Sequence, residues 1–450
     1  MYLCLNMNIS YLKGTKSTPR EVIDVEPDRI SYLPGHVIDC ILSYLPIKEA
    51  VRTSVLSNKW KNKWYTLPNL VFDEQCVSHL ASEDPLVIEN KFLKIVDHVL
   101  LVHSGVINMF KFVDYENLVS DSADIDRWIL HLTGRSIKEL VVEVCTEEHY
   151  KIPWCLFSCQ SLQCLKLHWC GLKPPTTFEG FKNMKSIDLS SVMVAQDVLE
   201  NLISGCPQLE ELKLGDVDGL DQINIHAPNL KLFKIDGKFG GVSFDNTFQL
   251  AKIVITSWLK LNSESNQSRL HGSSSNMLKF FDHLPHIQSL EIGGYYFFKY
   301  LATGVLPVKL PTPCIHLSFL SLCINFYELK GISAALCLLK SSPNLRRLKI
   351  SAWRFGLHNI PFTPSYCWED IFSAPIMPFQ VRHISLYGIS GTKLELDFIK
   401  LLLLYSPVLK KLTVKPVANV VPELMKALIR FKRASGEAEV IWQDPFKNGE

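Results

Sequence analysis

The sequence has almost no excess of either charge and no long apolar stretch. Its 450 residues include 47 Lys and Arg against 45 Asp and Glu, which leaves a net charge of +2. This balance excludes the strongly basic surface that is typical of nucleic-acid-binding proteins. The longest strongly apolar stretch, residues 398–404, is interrupted by Lys400 and stays far below the ~18 residues of a membrane span. We therefore expect no nucleic acid and no membrane as partner.

The sequence also lacks the short motifs of common catalytic sites. It contains no Gly-x-Gly-x-x-Gly, no Gly-x-Ser-x-Gly and no His-Glu-x-x-His. The Gly-rich residues 237–241 lack the spacing of a phosphate-binding loop, and we interpret them as a turn after a strand. The sequence favours a non-catalytic protein. The alternative is an enzyme whose site residues are scattered along the chain and meet only in the fold.

Cysteine is present, but not in the pattern of a disulfide scaffold. There are 13 Cys, an odd number, and most lie in apolar segments, as expected of reduced thiols in the cytoplasm and/or the nucleus. Cys155, Cys159, Cys164 and Cys170 are close in sequence, which raises the possibility of zinc. Because Cys164 falls inside an apolar template and Cys170 at a turn, we favour core packing, and we expect no metal and no cofactor.

Residues 28–68 have the pattern of three short helices. A Leu-Pro pair at 33–34 opens the first helix, and a second pair at 45–46 ends it. Residues 48–55 predict the second helix, and Ser57 is a plausible N-cap of a third that carries Trp60 and Trp64 four residues apart. About 40 residues bury too little apolar surface for independent stability. We expect this module to bind a neighbour or a partner.

From residue 136 onward the sequence repeats an apolar-x-x-apolar-x-apolar template. The last apolar positions of its eleven copies are 20 to 37 residues apart, a spacing typical of leucine-rich repeats. Alternation on a short strand points the last two apolar residues of each copy inward. The last positions are Val142, Leu167, Leu189, Leu214, Ile235, Ile255, Ile292, Leu322, Ile350, Leu386 and Val414.

The residue between the two inward positions is expected on the solvent face of each strand. In order these residues are Val141, Lys166, Asp188, Lys213, Lys234, Val254, Glu291, Ser321, Lys349, Ser385 and Thr413. Four Lys against two acids give a slight basic lean, which would favour an acidic or phosphorylated patch on a target. A solvated strand face explains the same composition. Candidate target-binding residues are Lys166, His168, Lys213, Lys234 and Lys349.

Composition and periodicity divide the chain into five parts. Residues 1–27 are a polar, flexible leader; 28–68 form the helical module; 69–135 link it to the repeats, with residues 86–101 as a helix and 110–112 as an early strand. Residues 136–375 hold most repeats, interrupted by an exposed loop at 262–276 that contains six Ser and three Asn. Residues 376–450 add a helix and a final strand, as a cap on the open end of the array.

The sequence of residues 28–57, with Trp60 and Trp64, resembles the F-box of a large plant class of proteins. Residues 387–414, with the helix that follows, are similar to the FBD domain of that class. The resemblance implies an α/β fold: a three-helix F-box, an irregular leucine-rich-repeat solenoid of parallel strands and helices, and an α+β cap. It also implies a substrate receptor of a Skp–cullin–F-box ubiquitin ligase, with a Skp-type adaptor and through it a cullin–RING ligase as partners, and a protein target.

Carried over by position, the resemblance implies a set of adaptor-binding residues on the F-box. They are Leu33, Pro34, Ile38, Leu42, Leu45, Pro46, Val51, Val55, Leu56, Trp60 and Trp64. For Val37, Ile41 and Trp60 an internal core role is at least an equal alternative. The competing function is a repeat scaffold or ligand sensor that acts outside a ubiquitin ligase.

Overall fold

The computed structural model describes residues 29–77, 84–114, 122–145, 148–257, 275–353, 378–417 and 421–444. The chain divides between Trp64 and Tyr65 into two compact units, which are taken in turn. The predicted leader lies outside the described residues. So does the predicted loop at 262–276, except for Ser275 and Asn276, where a helix begins.

The first unit contains two α-helices and tight turns. Helix α1 covers Gly35–Ser43 and α2 covers Ile47–Arg52, followed by a 3-10 turn at Thr53–Val55. Pro34 and Pro46 stand immediately before the two helices, where a missing N–H leaves no donor unpaired. Ile38 and Leu42 form the buried stripe of α1, one helical turn apart.

The third α-helix predicted from Ser57 does not form. Residues 58–62 are turns, and a 3-10 helix covers Lys63–Thr66. The Trp60 N–H donates to the Ser57 carbonyl at 3.1 Å, a bond over three residues instead of four, and the Ser57 hydroxyl has no hydrogen-bond partner in the described part of the chain. Long-range hydrogen bonds explain why this segment forms tight turns in place of an α-helix. The Lys59 ammonium donates to the Leu33 carbonyl, and the Trp60 indole donates to the Ile30 carbonyl.

The second unit is built on a parallel sheet in which fourteen strands are described, with a small two-stranded sheet (β4–β6) beside it. The strand order follows the chain, with β4 and β6 left out. The strands are β1 (Asn69–Phe72), β2 (Met109–Asp114), β3 (Glu139–Val144), β4 (Tyr150–Lys151), β5 (Cys164–His168), β6 (Cys170–Gly171), β7 (Ser186–Ser190), β8 (Glu211–His226), β9 (Leu232–Asp245), β10 (Lys252–Ser257), β11 (Ser289–Ile292), β12 (Phe319–Ile324), β13 (Arg347–Ala352), β14 (His383–Ile389), β15 (Lys411–Pro416) and β16 (Glu439–Trp442).

Helices and turns connect the strands, as parallel pairing requires. The helices are α3 (Pro85–Val102), α4 (Ala123–Thr133), α5 (Gln196–Ser204), α6 (Asn276–Phe281), α7 (Tyr295–Leu301), α8 (Leu329–Ser341), α9 (Lys393–Leu404) and α10 (Val421–Arg430). Further 3-10 turns cover Glu74–Cys76 and Trp154–Ser158. Helices α5, α8 and α9 each end two or three residues before a proline, at Pro207, Pro343 and Pro407, which cannot continue a helix.

The apolar template is confirmed as the inner face of this sheet. In all eleven copies the three template residues are at most 2 % exposed, from Ile137, Leu140 and Val142 to Leu409 and Val414. The turn residues Cys170 and Asn325 are also buried: the Cys170 thiol donates to the His168 carbonyl, and the Asn325 side chain accepts from the Tyr327 N–H at 3.0 Å. These bonds satisfy backbone groups where the strand ends.

The sheet extends beyond the predicted repeats at both ends. Strands β1 and β2 lie within the predicted linker. Strand β2 confirms the early strand predicted at 110–112, and α3 confirms the helix predicted over 86–101. Phe112 of β2 packs between Phe92 of α3 and Trp128 of α4, with ring centroids 5.6 and 5.2 Å away. At the other end, β14 and β15 carry the last two predicted copies of the template, and β16 confirms the predicted final strand. The strands of residues 376–450 thus belong to the same sheet as the repeats.

Candidate interaction surfaces

Two Tyr-Leu-Pro triplets define the surface of the first unit. Residues 32–34 precede α1 and residues 44–46 precede α2, so the same three side chains introduce both helices. Leu33 and Leu45 are half-buried, whereas Pro34 and Pro46 are exposed. Each leucine therefore anchors a turn while the proline after it faces solvent.

The residues expected to bind an adaptor fall into three groups by exposure. Ile38, Leu42, Trp60 and Trp64 are at most 5 % exposed, so they can affect a partner only by supporting the residues above them. Leu33, Leu45 and Val51 are half-buried. Pro34, Pro46, Val55 and Leu56 are exposed, and Val55 leaves 81 % of its surface to solvent.

The structure also shows whether Val37, Ile41 and Trp60 lie in the core of the module. Trp60 is buried, Val37 is half-buried and Ile41 is 39 % exposed. Trp60 therefore belongs to the interior of the module, while Ile41 lies on its surface.

Sequence reasoning missed the most exposed aromatic residues of this unit. Tyr32 and Tyr44 are 80 % and 84 % exposed. The duplicated triplet was the signal that could have found them. Exposed tyrosines beside apolar side chains are typical of protein–protein contact surfaces, because the ring is apolar and the hydroxyl is polar.

The expected target-facing residues form one row across the sheet. Pairing aligns Lys166 with Asp188, Asp188 with Lys213, and Lys213 with Lys234, and the row continues through Glu291 to Lys349. Val71 and Lys111 extend it at one end and Ile441 at the other. Adjacent members are about 4.8 Å apart, the spacing of neighbouring strands.

Acidic neighbours reduce the basic lean of this row. The Lys166 ammonium lies 2.5 Å from the buried carboxylate of Glu143, and the Lys213 ammonium lies 3.0 Å from Glu211. Lys234 is exposed, and the Lys349 ammonium lies over the Tyr387 ring at 5.2 Å. His168 is half-buried at the end of β5. The structure aligns the four lysines in one row, but two of them are already paired with acids.

A shallow depression of about 250 Å³ lies on the outer face of β10 to β13. Small residues line one side: Thr256, Gly293, Cys323 and Ser351. A Cβ on Gly293 would lie 2.9 Å from the Thr256 hydroxyl, so glycine keeps this side open. Glu291 and Lys349 line the other side. The depression has room for a single side chain of a bound polypeptide.

Beside the depression, aromatic rings gather where β11 and β13 end. Tyr295 stacks on Trp353 with centroids 5.2 Å apart, and Tyr296 meets the same ring edge-on at 5.6 Å. The Tyr295 hydroxyl donates to Glu328, which also pairs with Lys299 at 3.0 Å. Burial, with this bond to a carboxylate, raises the pKa of Tyr295 to about 12. The tyrosine therefore stays protonated as a donor, which fixes the ring.

The four clustered cysteines occupy separate elements. Cys155 and Cys159 lie in and after the turn Trp154–Ser158, Cys164 begins β5, and Cys170 begins β6. Burial raises the pKa of Cys170 to about 12, which disfavours the thiolate that a metal would need. Within the described ranges, no group of His, Cys, Asp and Glu is arranged to hold a metal ion. Nor does any helix described here have the length and apolarity to cross a membrane.

Known protein families match residues in both units of the chain. The F-box domain family matches residues 30–72, and the family described as FBD-associated F-box protein At5g56370, LRR repeats, matches residues 125–350. The F-box/FBD/LRR-repeat protein At1g13570 of Arabidopsis thaliana is 37% identical over 423 residues, which cover 92% of this chain and 98% of the relative. The chain belongs to the F-box/FBD/LRR-repeat family.

Two further relatives match this chain over different lengths. The FBD-associated F-box protein At5g56370 of Arabidopsis thaliana is 26% identical over 454 residues, covering 92% of this chain and 100% of the relative. The F-box/FBD/LRR-repeat protein At3g52680 of the same plant is 33% identical over 228 residues, covering 48% of this chain and 47% of the relative. The F-box match begins at Ile30, so both Tyr-Leu-Pro triplets lie inside the F-box of this family member.

Proposed function

We propose that this chain is the substrate-recognition subunit of a Skp–cullin–F-box ubiquitin ligase. The observation that carries the proposal is the exposed apolar surface of a small helical module whose sequence matches the F-box domain. Val55, Leu56 and the two prolines are apolar groups that the module itself leaves in water. Burying a side chain of the size of valine is worth about 1.5–3 kcal/mol, so an adaptor that covers them would gain affinity.

In this proposal the chain contributes proximity and no catalytic group. The F-box holds the Skp-type adaptor, and with it a cullin and a RING subunit, while the outer face of the sheet holds a protein target. Holding two reactants together raises their effective concentration, which accelerates ubiquitin transfer without chemistry in the receptor. The row from Lys166 to Lys349 and the depression beside it offer the contact groups.

The test is binding of the full chain to a purified Skp-type adaptor. We expect Val55→Asp to weaken binding at least about tenfold, because a carboxylate would be buried against apolar groups. Val305→Asp is the matched control, since Val305 is another valine that is 73 % exposed and lies in the second unit. A Leu33→Ala/Leu45→Ala/Pro46→Ala variant tests the two triplets.

Two results would overturn the proposal. Absence of adaptor binding by the folded chain would favour a repeat scaffold outside a ligase. Equal weakening by the substitutions at Val55 and Val305 would place the contact elsewhere than the F-box surface.

A further inference from the structure

Three neighbouring strands near the C-terminal end of the sheet begin with paired basic residues. Strand β13 is preceded and opened by Arg346 and Arg347, strand β14 by Arg382 and His383, and strand β15 by Lys410 and Lys411. We call these six residues the basic edge. All six are exposed.

The pairing of the strands stacks these residues in two columns. The Arg382 N–H donates to the Arg346 carbonyl, and the Lys410 N–H to the Arg382 carbonyl. One position later, Arg347 is aligned with His383, and His383 with Lys411. Adjacent strands lie about 4.8 Å apart, so the basic edge spans about 10 Å from β13 to β15. Five permanent charges and a histidine share that span.

The described residues do not neutralise the charge of this edge. Residues 346–353, 382–389 and 410–417 contain no Asp or Glu. Among the described residues, no Asp or Glu forms an ion pair with any of these six side chains. The neighbours in the same columns are neutral on one side, at Ser318 and Phe319, and acidic on the other, at Glu439. Like charges at this spacing repel, so the cluster weakens the fold locally unless an anion binds.

The first half of the same edge differs. There Lys138, Lys185 and Lys231 occupy equivalent positions, linked by the same backbone bonds, but Gln163 and Glu210 separate them. Lys231 pairs with Glu210 at 2.8 Å. The concentration of charge is therefore a property of β13 to β15 and not of the repeat pattern as a whole.

One member is already oriented for binding. The Arg347 guanidinium lies over the Phe319 ring, 5.0 Å from its centroid. Stacking restrains the plane of the group and leaves its rim of N–H donors available, and the planar fork of arginine matches the oxygens of a carboxylate or a phosphoryl group.

We propose that the basic edge binds an acidic, phosphorylated segment of a target protein. An extended peptide places side chains of one face about 6.8 Å apart, so two or three anionic groups fit a strip about 10 Å long. The short strip and the net charge of +2 favour a peptide over a nucleic acid, which needs a longer basic surface. The identification as a target rests on the proposed function, but binding to the edge does not require an adaptor.

The experiment measures fluorescence anisotropy of a labelled peptide of alternating glutamate and phosphoserine with the full chain. We expect binding that weakens at least about tenfold in Arg346→Glu/Arg382→Glu/Lys410→Glu. The matched variant, Lys138→Glu/Lys185→Glu/Lys231→Glu, makes the same change in net charge on the same edge and should stay within about twofold of the original. If the first variant unfolds, glutamine at its three positions removes the charge without reversing it.

Four outcomes would overturn the proposal. They are no binding by the original chain, equal loss in both variants, equal binding of the peptide with serine in place of phosphoserine, and tighter binding of a single-stranded DNA of the same charge. Adaptor binding should be unchanged in both variants, so failure of the basic edge and failure of the proposed function give different results.

Discussion

Tyr32 and Tyr44 occupy equivalent positions in the F-box, each two residues before the proline that precedes a helix. Tyr44 is 84 % exposed, more than any other described large apolar or aromatic residue, and Tyr32, at 80 %, is exceeded otherwise only by Leu101 and Val55. Two exposed rings on one small module form a favourable contact surface, because a tyrosine side chain loses little conformational entropy on binding.

The first prediction concerns these two rings. Tyr32→Ala and Tyr44→Ala should each weaken adaptor binding by about 1–2 kcal/mol, because each removes an aromatic contact at the rim of the Leu-Pro surface. Isothermal titration calorimetry with a Skp-type adaptor measures the change. Tyr327→Ala is the control, because Tyr327 is 44 % exposed and lies in the second unit. Unchanged affinity in both F-box variants would remove the tyrosines from the interface.

The second prediction concerns two glycines that touch. Gly180 has φ +98°, and a Cβ there would lie 2.0 Å from the Gly205 carbonyl oxygen. Gly180→Ala should lower the free energy of unfolding by about 2–5 kcal/mol, from backbone strain and the collision together. Urea unfolding measures it. Gly436→Ala is the comparison, since a Cβ at Gly436 meets nothing within 4 Å, and equal effects of the two changes would contradict the geometry.

The third prediction concerns the start of α9. The Thr392 hydroxyl accepts from the Glu395 N–H, and the buried Glu395 carboxylate accepts from the Thr392 N–H at 3.0 Å and the Ser390 hydroxyl at 2.8 Å. Thr392→Ala should cost about 1 kcal/mol of stability by leaving a helix N–H unpaired. Chemical denaturation tests this, and Thr392→Ser, which keeps the hydroxyl, should retain most of the stability.

The fourth prediction concerns pH. Burial lowers the pKa of His103 below its usual 6.5, and nearby Arg135 lowers it further, against a hydrogen bond to the Leu67 carbonyl that raises it. His131, whose pKa is also lowered, lies close to the same groups. Below pH 6.5 the unfolded chain binds a proton that the folded chain does not, so stability falls as the pH drops from 6.5 toward the folded value.

The measurement is urea unfolding at about pH 7.5 and about pH 5.5. His103→Gln keeps a neutral donor for Leu67, so the loss of stability between the two values should be smaller in this variant. His316→Gln, at an exposed position, should leave the loss unchanged. An equal pH dependence in the original chain and the His103 variant would contradict the prediction.

The repeat strands could be predicted from the sequence because their signal is local. Alternation places Leu212 and Leu214 on one face and Lys213 on the other, and the same template recurs along the chain. Where the local signal was weak, prediction was incomplete: β2 was predicted only as a short early strand at 110–112, and β1 was not predicted. Residues 237–241 were wrongly interpreted as a turn. They lie within β9, which bends where Gly237 adopts φ +130° and the register shifts.

The basic edge could not be predicted in the same way. In sequence, Lys410-Lys411 is a short basic run like many others, and its partners Arg346 and Arg382 are 64 and 28 residues earlier. Only the parallel register of β13 to β15 brings the three runs together. The prediction of a third F-box helix was wrong for a related reason. The long-range hydrogen bonds from Lys59 and Trp60 outweigh the local preference for a helix.

Uniform strand direction has a consequence for how such a chain can change length. Strands β5, β7 and β8 align the same template positions with one another, so the backbone pairing of one repeat resembles that of the next. Deleting or duplicating one such regular unit should preserve the pairings away from the junction, because stability in a stacked array comes mainly from nearest neighbours. Surface residues would then move relative to each other by whole strand spacings. Gain or loss of a repeat is thus a route to new combinations of surface charge on an unchanged scaffold.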